Sequence, residues 1–240
     1  MRSLLRMPLP TDNKYSRGVV GFATGSKQFP GAAILGVTAA MRTGVGMVRY
    51  LGPTEVSNLV VEVRPEIVLG EGKAQAWVIG SGVPVDDPRI ALCLGFASRK
   101  VMDAGALTVE NLACLTERDF ITPHSGEAAR LGCGSVDELV ELTAAVVVLK
   151  GSVTRIGQRG AETVEVGPNP AELATAGTGD VLAGILGALI ASNPEADGLS
   201  LARFAVELHA EAARRAARGG PVVAQDVAEA VREVVKSWSE

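Results

Sequence analysis

The chain has 240 residues, 47% of them hydrophobic and 21% charged, which supplies enough apolar side chains for a sizeable core and excludes a disordered chain. Its formal net charge of −4 argues against nucleic-acid binding, which needs clustered lysine and arginine. No uncharged apolar run reaches membrane-spanning length, and the three cysteines lack the paired spacing of zinc sites or disulfide frameworks. These features predict a cytoplasmic protein with one domain over residues 1–240 and no signal peptide.

Short β-branched runs alternate with alanine-rich helical segments along the first half of the chain. Strands are predicted at residues 18–24, 46–52 and 74–82, and the last of them runs into a glycine turn. Residues 31–44 predict a helix that ends at a glycine. Further strands are predicted to end at Asp103 and Pro123, and a helix over residues 125–132 follows the second of them.

The second half begins with residues 144–151, a fully apolar run that predicts a central strand. Two strand-like runs, at residues 152–157 and 162–167, flank Gln158, Arg159 and Gly160, which indicates a hairpin. Helices are predicted at residues 179–192, 199–218 and 225–238. Strands that alternate with helices predict a three-layer α/β fold, with a mostly parallel central sheet and helices on both faces.

Chemically distinctive residues gather where the predicted strands end. In sheets of this kind, ligands bind outside the carboxyl ends of the strands. The residues at these ends are Gly80, Gly82, Asp103, Pro123, His124, Gly126, Glu127, Lys150 and Gly151. We therefore expect the functional site at this edge of the sheet.

Residues 175–180 read TAGTGD and precede a long apolar helix. The two glycines let the backbone approach a ligand, and the helix start offers unpaired N–H groups, so together they suit a phosphoryl group. Asp180 beside this anion hole can take a proton from an attacking hydroxyl. Position alone favours an N-cap aspartate, but a plain cap needs no preceding pair of glycines, and this favours the catalytic role. Neither a Walker sequence nor a GxGxxG after the first strand is present.

The segment AGTGDVLAG resembles the anion-hole signature of the ribokinase-like superfamily. Within it, the chain is most similar to the ADP- or ATP-dependent NAD(P)H-hydrate dehydratases. The other matching motifs, spread over nearly the whole chain, are KYSRG, GAAILGVTAAMRTGVGMV, IGSG, MDAGAL, ITPHSGEAARL, VVLKGSVT and ELHAEAA. The P-H-x-G-E and V-L-K-G-x-x-T motifs are more specific than G-T-G-D, which vitamin kinases share.

The resemblance implies a repair reaction on hydrated NAD(P)H. Family members phosphorylate the hydroxyl that water has added to the nicotinamide ring and then lose phosphate, and bacterial members generally convert ADP to AMP. By this resemblance Asp180 is the catalytic base, and the backbone that includes Gly177 and Gly179 holds the transferred phosphoryl group. The expected cofactor is Mg²⁺, and the expected co-substrate is ADP, with ATP as the alternative.

The same resemblance implies the remaining site residues. The expected nucleotide-binding residues are Lys150, Gly151, Ser152, Val153, Thr154, Thr178 and Gly179. The expected substrate-binding residues are Gly31, Ala32, Gly82, His124 and Asp180, with Gly126 beside His124. The residues alone leave alternatives open, because His124 can cap a helix and residues 150–154 can form a tight turn between strands.

Three further side chains allow more than one role, and no metal ligand is assigned. Glu127 can organise Mg²⁺ or phosphate, or it can be a first-turn helix acid. Asp103 can organise the strand-end site or be a turn aspartate. His209 shares a helical face with Ala205 and Ala212, which favours a core histidine with satisfied hydrogen bonds over a catalyst.

The chain departs from the family pattern near the expected substrate loop. Members often have G-P-G-L-G where residues 80–84 read GSGVP, and a second acid where this chain has Gly105. The stretch between Gly82 and Asp103 is also short. These departures leave the Asp180 motif intact.

Two other functions stay open at this stage. A ribokinase-like kinase of a small hydroxymethyl or hydroxyethyl vitamin precursor would use the same base and anion hole. A nucleotide-binding or regulatory protein without catalysis is the other alternative, and the intact G-T-G-D sequence argues against it.

The expected partners are small molecules, copies of the chain and an epimerase. The helix at residues 31–44 is rich in small residues and apolar on more than one side, and the resemblance implies a homotetramer in which a neighbour helps to close the nicotinamide pocket. The dehydratase-like motifs fill the chain, so we expect the NAD(P)H-hydrate epimerase to be a separate protein. Neither nucleic acid nor a membrane is an expected partner.

Overall fold

Nine strands form one sheet in residues 4–240, the part of the chain that the computed structural model describes. The strands are β1 Val19–Ala23, β2 Met47–Tyr50, β3 Val68–Leu69, β4 Ala76–Ile79, β5 Arg99–Met102, β6 Phe120–Ile121, β7 Val146–Leu149, β8 Thr154–Gly157 and β9 Val164–Val166. Their order across the sheet is β3-β2-β1-β4-β5-β6-β7-β8-β9. Strands β1 to β7 pair in parallel, and the predicted hairpin is confirmed as the antiparallel pair β8 and β9 at one edge.

Helices cover both faces of this sheet. They are α1 Pro30–Thr43, α2 Thr54–Val63, α3 Pro88–Leu94, α4 Val109–Leu112, α5 Ser125–Arg130, α6 Val136–Leu142, α7 Thr178–Ser192, α8 Gly198–Ala217 and α9 Ala224–Ser239. Successive strand residues point to opposite faces, so Val78 joins the core under α1, α7, α8 and α9, whereas Ile79 joins the core under α3 to α6. The predicted three-layer α/β fold is confirmed.

The predicted central strand at residues 144–151 is confirmed as β7, a buried interior strand, and the middle one of the nine strands is β5. β7 is buried and paired on both sides, but it lies third from the edge. β5 begins with the charged residues Arg99 and Lys100. Hydrophobicity alone therefore does not predict that this strand lies in the middle of the sheet. Both charged groups donate hydrogen bonds to backbone carbonyl oxygens near the amino end of the strand. These hydrogen bonds allow two cationic side chains in the middle strand of the sheet.

Helices α1 and α7 approach each other closely because their facing residues are small. A Cβ on Gly184 of α7 would lie 2.3 Å from the carbonyl oxygen of Gly36 in α1. α1 also packs on α9 of the same chain. The small residues of the predicted helix at residues 31–44 therefore serve packing within the subunit, and this packing fixes the position of α7, whose first turn carries Asp180.

Membrane-spanning helices are not found in the described part of the chain. None of the helices within residues 4–240 combines the length and the apolar character that crossing a bilayer requires.

Candidate active site

The carboxyl ends of the strands border a cavity of about 700 Å³, which we call the strand-end cavity. One wall consists of residues that follow β5, β6 and β7, namely Asp103, His124 and Lys150. The opposite wall is the start of α7 with Asp180, and the segment that connects β9 to α7. The structure therefore brings the main predicted residues together at the predicted edge of the sheet.

The first turn of α7 has the geometry of an anion-binding site. Its N-cap residue is Gly177, which has a φ of 91° and no side chain that caps the helix. Glycine adopts this left-handed conformation without strain, and a Cβ here would also lie 2.6 Å from a side-chain carbon of Leu35. A Cβ on Gly179 would lie 3.3 Å from Lys150 Nζ. The N–H of Thr178 donates to Thr175 O at 3.3 Å, whereas within residues 4–240 the N–H groups of Gly177, Gly179 and Asp180 have no acceptor. These three groups stay open to a ligand with a lysine beside them.

Asp180 is the third residue of α7, so the alternative that it is the N-cap is wrong. Its side chain is half-buried and lines the strand-end cavity. Burial above all, together with the Asp103 and Glu127 carboxylates and opposed by Lys150, raises the pKa of the Asp180 carboxyl to about 7. Within residues 4–240 no side chain or backbone group donates a hydrogen bond to this carboxylate. A carboxylate that is free of partners and has a pKa near neutrality suits a general base.

Asp103 and Lys150 form a buried ion pair at the floor of the cavity. Lys150 Nζ lies 2.7 Å from Asp103 Oδ1 and 3.8 Å from Glu127 Oε2. Burial opposes ionisation of Asp103, but the Lys150 charge and three hydrogen bonds outweigh it and hold the pKa of Asp103 below its ordinary value. Burial likewise opposes the charge on Lys150, and the two carboxylates keep its pKa above the ordinary value. Asp103 therefore organises the site and is more than a turn aspartate.

His124 and Glu127 form a capping box at the start of α5. His124 Nδ1 accepts hydrogen bonds from the backbone N–H of Gly126 at 3.0 Å and of Glu127 at 3.2 Å. Glu127 Oε2 in turn accepts from the backbone N–H of His124 at 2.7 Å. The helix-capping role of His124 and the first-turn role of Glu127 are thus confirmed, while the half-exposed His124 ring still faces the cavity. Gly126 does not line the cavity.

The turn between β7 and β8 supplies most of the expected nucleotide-binding residues. Lys150, Gly151, Ser152 and Thr154 line the strand-end cavity together with Thr178 and Gly179, whereas Val153 does not. Asn169 closes the turn, because its Nδ2 donates to Gly151 O and to Thr154 Oγ1, each at 2.9 Å. Sequence reasoning missed Asn169, although the Gly-Pro-Asn-Pro run at residues 167–170 marks an ordered loop just before TAGTGD.

The other expected substrate-binding residues lie together, but outside the wall of the strand-end cavity. A Cβ on Gly82 would lie 2.6 Å from Ala32 Cβ and 3.1 Å from the carbonyl oxygen of Phe29. Gly31 precedes Ala32 in the first turn of α1, and a Cβ on it would meet open space. The structure thus groups Gly31, Ala32 and Gly82 at the start of α1, while His124 and Asp180 border the cavity.

His209 on α8 is buried, as expected, but its hydrogen bonds are not all satisfied. Its side chain lines the cavity, and in residues 4–240 its Nε2 has no hydrogen-bond partner. Burial, with a smaller effect of the Lys150 charge, lowers the pKa of His209 to about 3, so the ring is neutral. The prediction of a satisfied core histidine is therefore wrong in this respect.

An apolar wall of the cavity was also missed by sequence reasoning. Its members are Pro170, Ala171, Leu173, Ala174, Leu182 and Val206. They come from three segments of the chain, the connection after β9, α7 and α8, and each segment alone is typical of ordinary packing. No local pattern distinguishes them, so only the fold reveals this wall.

Comparison with known proteins assigns the chain to a family. The model of the NAD(P)H-hydrate dehydratase family matches residues 20–233. The chain belongs to that family. The bifunctional NAD(P)H-hydrate repair enzyme Nnr of Mycobacterium tuberculosis is 36% identical over 208 residues, which are 78% of this chain and 43% of that protein. The ADP-dependent (S)-NAD(P)H-hydrate dehydratase of Xanthomonas campestris is 31% identical over 249 residues, with 88% of this chain and 85% of that protein covered.

The bifunctional relatives are longer than this chain. It spans 38–48% of the length of the mycobacterial and corynebacterial bifunctional enzymes that it matches.

Solved structures agree with the family assignment. The ADP/ATP-dependent NAD(P)H-hydrate dehydratase from Bacillus subtilis, co-crystallised with ATP and Mg²⁺, superposes with a TM-score of 0.82 at 27% identity and covers 99% of this chain and 95% of that one. A hydroxyethylthiazole kinase from Pyrococcus horikoshii, with a TM-score of 0.61 at 21% identity, covers 90% of this chain and 88% of that one, and shares only the fold. The ribokinase-like fold is confirmed, and the dehydratase interpretation is supported over the vitamin kinase.

Proposed function

We propose that this chain dehydrates the S form of hydrated NAD(P)H to NAD(P)H, and that it converts ADP to AMP and phosphate in doing so. The observation that carries the proposal is the Asp180 carboxylate, which has no hydrogen-bond partner in the described residues and lies beside the open first turn of α7. Two relatives, from Xanthomonas campestris and Neisseria meningitidis, are named as ADP-dependent (S)-NAD(P)H-hydrate dehydratases, which supports the same substrate and co-substrate here.

The proposed reaction begins with proton removal by Asp180. The carboxylate takes the proton from the hydroxyl on the hydrated nicotinamide ring, and that oxygen attacks the terminal phosphorus of ADP while AMP leaves. The backbone N–H groups of Gly177 and Gly179, which have no acceptor in the described residues, hold the oxygens of the transferred phosphoryl group. The ring nitrogen then donates its electron pair, the carbon–oxygen bond breaks, and phosphate departs with the oxygen that came from water. The resulting ring cation loses a proton from the neighbouring carbon to the departing phosphate or to water, which restores the double bond of NAD(P)H.

The wall of the strand-end cavity supports the proposed position of the nucleotide. Lys150 supplies a positive charge beside the first turn of α7, where the phosphates of ADP would lie. Leu173 and Val206 belong to the apolar wall, which suits a planar base. The residues Gly151, Ser152, Thr154 and Asn169 then border the nucleotide between these two parts.

Mg²⁺ fits the site as an ion that the nucleotide phosphates carry. In the described residues no group of three or more His, Cys, Asp or Glu side chains is arranged to hold a metal. The Lys150 ammonium already lies between Asp103 and Glu127, and Glu127 Oε2 also serves the capping box. Mg²⁺ commonly takes most of its ligands from phosphates and water, and there it would neutralise phosphate charge.

The substrate side of the proposal combines both groups of residues. The hydrated ring would lie between Asp180 and the half-exposed His124, and the rest of the dinucleotide would extend over Gly31, Ala32 and Gly82. Gly31 keeps that surface free of a side chain, and Gly82 lets its turn pack closely against Ala32, which supports the close approach of a large ligand.

The proposal includes a homotetramer, a cytoplasmic location and an NAD(P)H-hydrate epimerase as functional partner. The names of the bifunctional relatives support the pairing with an epimerase. Light scattering after size exclusion tests the assembly: a homotetramer is expected, and a monomer with full specific activity would contradict a pocket shared between subunits.

The proposed function is tested by the recovery of the reduced-nicotinamide absorbance. Hydrated NADH, ADP and Mg²⁺ are incubated with the protein, and with Asp180→Asn as the matched control. Recovery of the absorbance with the wild type alone is the expected result. No recovery with a folded wild-type protein that binds ADP would overturn the proposal.

A further inference from the structure

Asp103 is held from both sides at the end of the middle strand. Ser81 Oγ, from the turn after β4, donates to its Oδ2 at 3.0 Å. Thr122 Oγ1, after β6, donates to Oδ1 at 2.9 Å, and Lys150 Nζ, after β7, donates to the same oxygen at 2.7 Å. With 3% of its surface exposed, Asp103 cannot exchange these partners for water. Its carboxylate is therefore a fixed negative charge beneath the cavity.

Lys150 is correspondingly confined. A Cβ on Gly179 would lie 3.3 Å from Lys150 Nζ. The ammonium is therefore next to the backbone of the first turn of α7. Leaving this place would strand the buried Asp103 carboxylate without a counter-charge, which proteins strongly disfavour. The ion pair thus places one cation at the edge of the anion hole.

Asp180 faces these charges without a hydrogen bond of its own. The titratable groups around the same cavity are Asp103 after β5, His124 and Glu127 on α5, Lys150 after β7 and His209 on α8. His209 is neutral, and Glu127 is held by the capping box. The ionisation of Asp180 consequently depends on how the neighbouring acids and the one lysine balance.

We propose that Asp103 is a positioning residue: it fixes the Lys150 ammonium against the first turn of α7, and the Asp103–Lys150 pair thereby sets the fraction of Asp180 that is ionised and ready to accept a proton. The mechanistic meaning of this inference rests on the proposed function, in which Asp180 is the base. The geometric claim concerns only the three side chains and can be measured without turnover.

The direction of the effect follows from the charges. The Asp103 carboxylate raises the pKa of Asp180, and the Lys150 ammonium lowers it by a smaller amount. Asp103→Asn removes the negative charge and retains an amide of the same shape that can still bond to Ser81, Thr122 and Lys150. The pKa of Asp180 should therefore fall in this variant, because the lysine then acts on it without opposition from Asp103.

The direct test is the titration of the Asp180 carboxyl by NMR of protein labelled with heavy carbon at aspartate carboxyl groups. The Asp180 signal is identified by its loss in Asp180→Asn. In Asp103→Asn we expect its midpoint at a lower pH by about one pH unit, the usual effect of removing a nearby like charge. The matched control is Thr122→Val, which removes a hydrogen bond from Asp103 but no charge, and its midpoint should stay much closer to the wild type.

A midpoint in folded Asp103→Asn that equals the wild-type midpoint would overturn the inference. If the single variant does not fold, the double variant Asp103→Asn with Lys150→Met removes both buried charges. Its midpoint should lie below that of the single variant Lys150→Met, because these two variants differ only in the Asp103 charge, which raises the pKa of Asp180. An equal or higher midpoint in the double variant would equally overturn the inference.

The rate profile separates this inference from the proposed function. If the wild type regenerates NADH, the acid limb of kcat/KM should move to lower pH in Asp103→Asn, whereas a merely structural role would lower the rate without moving the limb. A shifted NMR midpoint in a protein that regenerates no NADH would reject the proposed function and leave the role of the ion pair standing. Regeneration of NADH together with an unshifted NMR midpoint would support the proposed function and reject the role of the ion pair.

Discussion

The backbone at Gly105 passes so close to Val83 that a Cβ on Gly105 would lie 2.0 Å from the Val83 carbonyl oxygen. The two residues belong to neighbouring loops, one after β5 and the other after the glycine turn of β4. The N–H of Gly105 donates to the carbonyl oxygen of Gly80 at 3.2 Å, which holds the loops together. The two departures from the family pattern, at residues 80–84 and at Gly105, are therefore coupled, since the first loop fills the space that an acid at residue 105 would need.

Gly105→Ala should destabilise the protein through this contact. The added methyl group forces the two loops apart, and overpacking of this kind typically costs about 1–3 kcal/mol. Thermal unfolding measures the effect. The control is Gly31→Ala, because a Cβ at residue 31 meets nothing within 4 Å, and its melting temperature should equal or slightly exceed that of the wild type. Equal melting temperatures for the two variants would show that the loops are not in contact.

Asp180→Asn should nearly abolish turnover while ADP still binds. In the proposed mechanism only the carboxylate accepts the proton, whereas the phosphates would contact backbone groups at the start of α7 that the substitution leaves in place. Loss of a general base costs about 10²–10⁴ in rate. Initial rates and calorimetric ADP binding check the two halves of this prediction. Turnover close to that of the wild type would remove Asp180 from the mechanism.

The same substitution should stabilise the fold in a pH-dependent way. The pKa of Asp180 rises from its ordinary 3.8 to about 7, so the folded state disfavours the charge that the unfolded chain carries readily. The cost to folding is absent well below pH 3.8, grows as the pH rises and levels off above about 7. At most it is about 4 kcal/mol, because each pH unit corresponds to about 1.4 kcal/mol.

Thermal unfolding at two pH values tests this stability effect. Asp180→Asn should melt above the wild type at pH about 8 and close to it at pH about 4, as the linkage between ionisation and folding requires. If the melting temperatures of the two proteins differ by the same amount at both pH values, the pKa of Asp180 is not raised in the folded state.

ADP should support the reaction faster than ATP. In the described residues, Lys150 is the one lysine or arginine in the wall of the strand-end cavity. The cavity wall therefore offers no second positive charge that would bind the additional phosphate of ATP. The names of the ADP-dependent relatives point the same way. Initial rates at equal concentrations of the two nucleotides with Mg²⁺ decide the matter. A clearly faster reaction with ATP would count against this account of the phosphate site.

The features predicted correctly from the sequence are those that a short segment determines by itself. The helix start near Thr178 and the place of Asp180 beside the two glycines of its first turn both follow from six consecutive residues. The strand ends that border the cavity also follow, because parallel strands alternate with helices in an orderly way. The His124 and Glu127 capping box is equally local, since it needs only residues 124–127.

The features that sequence reasoning missed depend on contacts between distant segments. The Asp103–Lys150 ion pair joins residues 47 positions apart, and each of them alone has an ordinary alternative role. His209 was interpreted from its helical face, which correctly predicts burial but cannot show that Nε2 has no partner in the described structure. The middle position of β5 does not follow from the sequence because the strand begins with the charged residues Arg99 and Lys100, and only the fold supplies the backbone carbonyl oxygens that accept their hydrogen bonds.

The measurement that tests the central claim most directly follows the oxygen atom of the hydrate. NADH is hydrated in water enriched in a heavy oxygen isotope, and the S form is incubated with the protein, ADP and Mg²⁺ in ordinary water. Phosphorylation followed by elimination predicts equal amounts of NADH, AMP and inorganic phosphate, with the heavy oxygen in the phosphate. A phosphorylated product that accumulates, or phosphate that carries only ordinary oxygen while NADH reappears, would contradict the account.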